Sequence, residues 1–369
     1  MYRESDLVCV AKRLNNKKRG YLVVNRLQGK HIPVRPAQAL ELFESLADVL
    51  QGEYGRDSLL LVGFAETATA IGAAVAAALG CRYMQTTREK LDDVDWLYFS
   101  ESHSHATQQK LVREDVEKAA EECTRIVFVE DEVTTGNTIG KIVQILKERY
   151  PGKFQYSVAS VLNGMKEADL KSFCDLGISV HYLVKTDHEG FEKIAAGYPE
   201  DGKVVDCVGA AGMAREPWEL VPGRVDARRL VDSTRMRQQC ERLGKAVLER
   251  YPVKAGERIL VLGTEEFMYP PLCIAAWMER KGADVSFHAT TRSPIAVSAD
   301  ESYPFQCRYE LRSFYDGERA AYLYDLDKYD QVYVVTDAWQ EEEAGTDSLA
   351  YALSQSGNFA VHWIRWENE

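Results

Sequence analysis

Several things are scarce in this chain. Its eight cysteines are scattered, with no Cys-x-x-Cys pair and no Cys/His cluster at zinc spacing, so the sequence offers no structural zinc motif. Cys174, Cys207, Cys240, Cys273 and Cys307 are evenly spaced, but their neighbours share nothing. The thiols therefore read as free groups, mostly buried, in a reducing compartment. Positive charge is also short: 45 Lys+Arg stand against 57 Asp+Glu, a net charge of −12 over 369 residues. That balance argues against sequence-independent binding to nucleic acid or to a membrane surface, which needs a positive field. The uncharged stretch 68–81 is too short and too rich in alanine to span a bilayer. No apolar core precedes Leu7, so the start does not read as a signal peptide. The expectation is a soluble cytoplasmic protein with neither membrane nor nucleic acid among its partners.

The composition is globular, with 46% hydrophobic and 28% charged residues, and the length suggests two domains at about 150 residues each. Apolar strand-like runs alternate with amphipathic helical ones, which predicts an α/β architecture. In the first half, strands are expected at 20–24, 58–62, 125–129, 155–161 and 178–184, and helices at 36–50, 69–79, 111–123 and 138–149. Residues 197–223, punctuated by Pro and Gly, read as linkage. A helix over 226–251 opens the second half, followed by strands at 259–262, 285–288, 331–336 and 359–366. The domains are expected to be 1–210 and 211–369.

A weak internal repeat runs through this pattern. Leu60-Leu-Val-Gly63-Phe-Ala-Glu66, a helix, and Thr86-Thr87-Arg88 are echoed by Leu260-Val-Leu-Gly263-Thr-Glu-Glu266, a helix, and Thr290-Thr291-Arg292. Phe128-Val129-Glu130-Asp131 is echoed by Val334-Val335-Thr336-Asp337. Strand–Gly–helix units look alike in many α/β proteins, so two readings stand: common architecture of the halves, or chance likeness.

The strongest chemical signal is Ile126-Val-Phe-Val-Glu130-Asp131-Glu-Val-Thr134-Thr135-Gly136-Asn137-Thr138. An apolar strand ends in two adjacent carboxylates, then turns through a hydroxyl-rich loop into a helix. The N–H groups of a helix's first turn have no internal partners and, with the dipole, favour an anion there. Gly136 permits close backbone approach and the threonines add donors, so the segment reads as a phosphate cradle beside an acidic pair suited to a polyol. A plain threonine cap would not require the carboxylates. The segment Gly136-Asn-Thr-Ile-Gly140-Lys141-Ile is no Walker loop, because its spacing is wrong and no Ser/Thr follows the lysine.

This segment resembles the phosphoribosyl-pyrophosphate signature of type I phosphoribosyltransferases. The resemblance implies that Glu130 and Asp131 hold the ribose hydroxyls, and that Thr134, Thr135, Gly136, Asn137 and Thr138 bind the 5′-phosphate. It also implies an earlier pyrophosphate loop, often with a non-proline cis peptide; Gly63-Phe64-Ala65-Glu66-Thr67 stands in its place. Glu66 departs from the usual basic or glycine-rich pattern, so either it reaches a magnesium ion or a base, or others such as Arg88 and Lys90 hold the pyrophosphate. A polar lid over 99–107 carries His103 and His105, imidazoles that could serve the leaving pyrophosphate or the incoming base. No third ligand stands at metal spacing near them, so a lid is favoured over a metal site.

The resemblance extends further. Arg13-Leu-Asn15-Asn-Lys17-Lys-Arg19, Gln28-Gly29-Lys30-His31, Glu101-Ser-His-Ser-His, Gly263-Thr-Glu-Glu-Phe-Met-Tyr and Thr291-Arg-Ser-Pro294 are similar to a two-domain group. That group joins a phosphoribosyltransferase to a domain named for its Thr-Arg-Ser-Pro motif and is encoded beside tellurite-resistance genes. The fold so implied is a Rossmann-like, mostly parallel type I phosphoribosyltransferase sheet followed by a second Rossmann-like α/β domain. The activity implied is transfer of phosphoribose from phosphoribosyl pyrophosphate to an unidentified base-like acceptor, with a nucleotide-like biosynthetic or stress-linked role. Mg²⁺ is expected to be bound mainly through the substrate, with no dedicated protein cage. A homodimer, or partner enzymes of the same gene cluster, are the protein partners expected. A second-domain site is expected at Gly263, Glu266, Thr291, Arg292 and Ser293, with Arg292 as an anion receptor or, alternatively, as a structural ion pair with Glu265 or Glu266. Two other classes stay open: a sensor of phosphoribosyl pyrophosphate without turnover, and an assembly subunit.

Overall fold

A computed structural model describes residues 2–15, 19–55, 57–99, 109–339 and 343–368. Two parallel sheets dominate. The first runs Val231–Asp232, Arg82–Gln85, Leu59–Gly63, Arg125–Val133, Gln155–Asn163, Ile178–Lys185, all parallel except the first, which pairs antiparallel with Arg82–Gln85. The second runs Glu219–Pro222, Val361–Glu367, Gln331–Thr336, Arg258–Gly263, Asp284–Ala289, parallel throughout. The inner strands are apolar along their length, as strands covered on both faces must be. Leu59–Gly63 and residues 259–263 are buried at every position.

The echo in the sequence is an echo in space. In each sheet the strand ending in glycine lies between the strand that follows it through a helix and the strand that carries the next motif. Gly63 pairs with Gln85 on one side and Val129 on the other; Gly263 pairs with Ala289 and Val335. By that register Glu130 corresponds to Thr336, Asp131 to Asp337, and Arg88 to Arg292.

The crossover helices Thr69–Leu79 and Tyr269–Arg280 pack on each other, and each also meets the long helix of the opposite half, Ser233–Arg250 and Pro36–Tyr54. Thr69–Leu79 is apolar all round, and nine of its eleven residues are buried, as a helix sandwiched between layers requires. Its Gly72 lies against Gly63, where a Cβ would stand 2.9 Å from the Gly63 Cα. One hydrophobic core runs through both halves, from Leu42 and Val75 to Met236, Leu272 and Phe287.

The predicted helix 69–79 and strand 331–336 match in full. The acidic strand extends to Val133, so Glu130 and Asp131 lie within it rather than beyond it. The segment read as linkage contains the strands Lys203–Asp206 and Glu219–Pro222, which join sheets of the second half. The helix expected from 226 begins at Ser233 because Val231–Asp232 is a strand and Asp232 caps the helix, accepting from the Arg235 N–H. Among the described residues no helix is long and apolar enough to cross a membrane, and all eight cysteines are free, with Cys174 exposed.

Candidate functional site

Glu130 and Asp131 stand near the carboxyl end of Arg125–Val133, a central strand where parallel sheets present their ligand sites. Asp131 is 5% exposed, and its Oδ1 accepts from the Asn25 side-chain N–H at 2.9 Å. Burial pushes its pKa up to about 7, with the Asn25 bond opposing and Glu132 adding. Glu130 is driven well above the carboxylate range by burial and by the charges of Asp131 and Glu132, with Arg88 opposing. Neither forms an ion pair with a described cation. Glu132 is satisfied instead, by Arg19 at 3.0 Å and His188 at 3.1 Å.

The strand turns through Thr134 and Thr135 to Gly136, which has φ 69° and starts the helix Asn137–Arg149. No side chain caps that helix from Gly136, and Thr135, Asn137 and Thr138 are exposed. The Asn137 N–H reaches Thr135 Oγ1 at 3.4 Å, and those of Thr138 and Ile139 are left for a ligand or water. Gly136 is required twice: by its left-handed backbone, and because a Cβ would lie 2.2 Å from the Phe173 ring.

The loop Gly63-Phe64-Ala65-Glu66-Thr67 lies beside this cradle, and the Ala65–Glu66 peptide bond is cis. Its backbone is pinned: Phe64 N–H donates to the Val129 carbonyl at 3.0 Å, Ala65 N–H to Thr86 Oγ1 at 2.8 Å, and Gln109 Nε2 to the Ala65 carbonyl at 2.6 Å. Gln28 Nε2 donates to the Thr67 carbonyl. The Glu66 carboxylate does not face open space. It pairs with the fully buried Lys30 at 2.5 Å and with Arg292 at 3.5 Å. Burial alone would raise its pKa, but those cations outweigh it and hold the group at about 2. Lys30 also donates to the carbonyls of Glu265 at 2.5 Å and Thr290 at 2.8 Å, so one ammonium ties the loops of both halves together.

Arg88 is left over. Its Nε is buried with no hydrogen-bond partner among the described residues, yet the guanidinium is close enough to Glu130 and Glu66 to lower both. Arg13 has its own pKa lowered by burial and by the like charges of Arg19 and Arg88, so three guanidiniums converge beside the acidic strand. Lys90 is exposed. His103 and His105 lie outside the described residues. Arg13, Asn25 and Lys30 carried no predicted role; Arg13 and Lys30 were visible only as parts of a resemblance and Asn25 not at all, because nothing local distinguishes a lysine destined for full burial.

The second-half motif meets the first across this interface with matching geometry. Thr86 N–H bonds the Gly63 carbonyl at 2.9 Å, and Thr290 N–H bonds that of Gly263 at 3.1 Å. Ala65 N–H bonds Thr86 Oγ1, and Glu265 N–H bonds Thr290 Oγ1. The exchange is reciprocal: Arg88 N–H donates to Glu266 at 3.0 Å, and Arg292 N–H to Glu66 at 3.3 Å. Gly263, Glu266 and Thr291 are buried, and Ser293 is half-buried.

The Arg292 guanidinium is engaged by Glu265 at 2.7 Å, Glu266 at 3.1 Å, Glu66 and Glu89. Burial opposes its charge, but those acids overcome it and raise its pKa far above the ordinary value. As an open anion receptor it is not available in this arrangement; it closes an inter-half ion network that also includes Arg319, at 2.9 Å from both Glu89 and Glu265. Asp337 is held at 2.5 Å by Arg228 and at 2.7 Å by the Tyr315 hydroxyl. Among the described residues no cluster of three or more His, Cys, Asp or Glu could cage a metal.

Two family models match separate segments of the chain. Residues 7–187 match the family described as "Phosphoribosyl transferase", and residues 226–353 match "TRSP domain C terminus to PRTase_2". No curated protein matches. Solved structures with partial likeness include the adenine phosphoribosyl transferase of Trypanosoma brucei, at 15% identity over 49% of this chain and 77% of that one, TM-score 0.33. They also include adenine phosphoribosyltransferase of Giardia lamblia, at 14% over 51% and 100%, TM-score 0.34. Orotate phosphoribosyltransferase of Aeropyrum pernix is similar at 16% over 52% and 94%, TM-score 0.33. With its acid-ended strand and its Thr-Arg-Ser-Pro loop each inside the matching segment, the chain belongs to the family that joins a phosphoribosyl transferase domain to a TRSP domain.

Proposed function

We propose that the first half transfers phosphoribose from phosphoribosyl pyrophosphate to a base-like acceptor, with release of pyrophosphate. One observation carries the reading: the buried Asp131 and the half-buried Glu130, neither in an ion pair with a described cation, stand next to a helix N-terminus with no N-cap side chain. Unsatisfied acids and unsatisfied N–H groups side by side suit a molecule with hydroxyls at one end and a phosphate at the other. In this reading Glu130 and Asp131 accept from the ribose hydroxyls, and Thr134, Thr135, Gly136, Asn137 and Thr138 hold the 5′-phosphate. The loop 64–67, through the N–H groups of Glu66 and Thr67, with Arg88 and Lys90, holds the pyrophosphate, and Arg13 joins them; the Phe64 and Ala65 N–H groups, bonded to the Val129 carbonyl and Thr86 Oγ1, fix the loop's shape. The Glu66 side chain serves the interface, since Lys30 and Arg292 occupy it.

The C1–O bond to pyrophosphate breaks with its electron pair leaving on the pyrophosphate, and the acceptor's lone pair forms the new bond to C1. A proton on an acceptor nitrogen departs to the pyrophosphate or to water. Positive charge develops on the ribose, where nearby carboxylates stabilise it. The raised pKa values of Glu130 and Asp131 fit a site completed by a cation. Mg²⁺ would neutralise ribose and pyrophosphate oxygens and would be held mainly by the substrate, because this ion keeps several waters and takes few protein ligands. His103 and His105 are assigned to the leaving pyrophosphate from their place in the sequence between Trp96–Tyr98 and Lys110–Val112.

The test is a thermal-shift titration followed by a pyrophosphate-release assay with a panel of bases. Phosphoribosyl pyrophosphate at about 100 times its dissociation constant should add about 2.7 kcal/mol of stability. Asp131→Ala should fold and lose that response. No response of the unmodified protein to millimolar ligand with Mg²⁺ overturns the reading; binding without pyrophosphate release from any base makes the protein a sensor.

A further inference from the structure

Glu266 belongs to the second half, yet its carboxylate reaches the turn that carries Arg88. From its own half it is fixed by Arg292, at 3.1 Å from Oε1, and by Arg228, at 3.7 Å from Oε2. Its other bonds cross the boundary. Oε1 accepts from the Arg88 N–H at 3.0 Å, and Oε2 from the Thr87 hydroxyl at 2.6 Å. The side chain is buried, but Arg292 and Arg228 outweigh that burial and hold its pKa below the ordinary carboxylate value. A buried, ionised carboxylate with both oxygens engaged is a fixed acceptor, and hydrogen bonds to it are stronger than those to a neutral group.

The turn it reaches decides where a cation points. Thr87 and Arg88 follow the strand Arg82–Gln85 in irregular backbone, and Thr87 is bridged to Lys110. Past that bridge, Glu266 holds the Arg88 N–H, and the Arg88 guanidinium comes close enough to Glu130 and Glu66 to lower both. The loop 64–67 is held from the same side. The Arg292 N–H donates to both Glu66 oxygens at 3.3 Å, and Arg292 Nε stands 3.5 Å from Oε2. Lys30, paired with Glu66 at 2.5 Å, donates to the second-half carbonyls of Glu265 and Thr290. Both elements assigned to the pyrophosphate therefore have second-half residues behind them. The ribose 5-phosphate end is built differently: Asp131 bonds Asn25, and Gly136 lies against Phe173, both from the first half.

We propose that the second half is part of the pyrophosphate subsite, with Glu266 as a positioning residue that aims Arg88 and Arg292 as one that holds the loop 64–67 through Glu66. This rests on the phosphoribosyl pyrophosphate reading of the first half and names what controls that site. Donors already in place bind an anion without the cost of ordering them. The second half thus governs affinity for the pyrophosphate arm and leaves the ribose 5-phosphate end to the first.

The experiment measures, by calorimetry on the full chain with Mg²⁺, the affinities for phosphoribosyl pyrophosphate and for ribose 5-phosphate, which lacks the pyrophosphate arm. The unmodified protein should prefer phosphoribosyl pyrophosphate by at least about tenfold. Glu266→Leu should bring that preference close to parity while changing ribose 5-phosphate affinity by no more than about twofold. Arg292→Lys, which cannot reproduce the guanidinium fork, should reduce the preference several-fold. Glu266→Gln keeps an acceptor for the Arg88 N–H and should retain most of it. Should Glu266→Leu fail to fold, Thr87→Val, which removes only the hydroxyl that donates to Glu266, carries the test with a smaller loss of the same kind. Equal affinity of the unmodified protein for the two ligands, a parallel loss of both in the variants, or an unchanged preference in all of them overturns the proposal and leaves the first-half reading standing. No binding of phosphoribosyl pyrophosphate by the unmodified protein overturns the first-half reading, and the role of Glu266 with it.

Discussion

At the end of its central strand the first half carries Glu130 and Asp131; at the same register positions the second half carries Thr336 and Asp337. Asp131 has one amide for company, and burial raises its pKa to about 7. Asp337 is equally buried, but Arg228, Arg224 and Tyr315 outweigh that burial and pull it below the usual carboxylate range. The arginines differ in the opposite sense: no described carboxylate pairs with Arg88, while four surround Arg292. One backbone plan therefore appears in two chemical states. In the second half the charged groups satisfy each other and bind the halves together. In the first they are held apart and unsatisfied, which costs stability and is what a ligand site requires.

The largest expected effect comes from the two arginines. Arg292→Met strands Glu66, Glu265, Glu266 and Glu89 in a buried network, and removing one member of such a cluster costs about 3–5 kcal/mol. Arg88→Met removes a guanidinium with no ion-pair partner among the described residues and should cost under about 1 kcal/mol, while abolishing the thermal response to phosphoribosyl pyrophosphate with Mg²⁺. Urea unfolding of both variants reads the contrast. Equal losses of stability would show that the two positions are not in different states.

What the sequence reveals follows the range of the interactions concerned. The strand–Gly–helix units and the acidic strand were legible because their signals are contiguous: apolar runs, then Glu130-Asp131, then Thr-Thr-Gly. Lys203–Asp206, with only one of its four residues less than fully exposed in pattern, shows no alternation and becomes a strand through pairing with Cys307–Arg312, about a hundred positions away. Val231–Asp232 likewise depends on Arg82–Gln85. Glu66 was legible as an anomaly in a pyrophosphate loop, but its explanation lies in Lys30 and Arg292, one far before it and one far after. Arg292 stood out in the sequence through its Thr-Arg-Ser-Pro motif. Whether it faced an anion or a carboxylate depended on how the halves dock, which no local pattern encodes.

A smaller and sharper contrast separates Asp131 from Asp337. Asp131 has a folded pKa of about 7 against an unfolded value of about 3.9, so the folded state keeps a proton that the unfolded chain releases. Its contribution favours folding at low pH and is lost as pH rises from about 4 to about 7. Asp337 has a depressed pKa, so its contribution is present above about pH 4 and is lost as pH falls below that. At pH 8, Asp131→Asn should therefore stabilise by about 1–3 kcal/mol and flatten the loss of stability between pH 4 and 7. Asp337→Asn should destabilise by about 2–3 kcal/mol at the same pH. Binding of phosphoribosyl pyrophosphate with Mg²⁺ should strengthen as pH rises through about 7, when Asp131 ionises. Glu89 is also raised to about 7, so Glu89→Gln is measured alongside to separate the two transitions. Stability changes of the same sign in Asp131→Asn and Asp337→Asn would break the comparison.

The smallest effect tests whether the symmetry of the interface extends to its hydroxyls. Thr87 and Thr291 occupy equivalent positions and are both buried. Thr87 Oγ1 donates to Glu266 at 2.6 Å and accepts from the Glu89 N–H at 2.9 Å. Thr291 Oγ1 faces His31 Nε2 at 3.5 Å and accepts from the Ser293 N–H at 3.2 Å, so its only good partner is a neighbouring amide. A hydrogen bond to a buried charge is worth about 1.5–3 kcal/mol, against about 1 for a neutral one. Glu266 keeps Arg292 and the Arg88 N–H after the change, so Thr87→Val should cost about 1–2 kcal/mol and Thr291→Val about half as much. Valine preserves the branched shape, which leaves the lost hydroxyl as the main difference. The chemical asymmetry then reaches down to single hydroxyl groups: Thr87 belongs to the ion network through Glu266, and Thr291 only borders it. Equal losses in urea unfolding would mean that the His31 contact is a true hydrogen bond and that the interface is more symmetric than its charges.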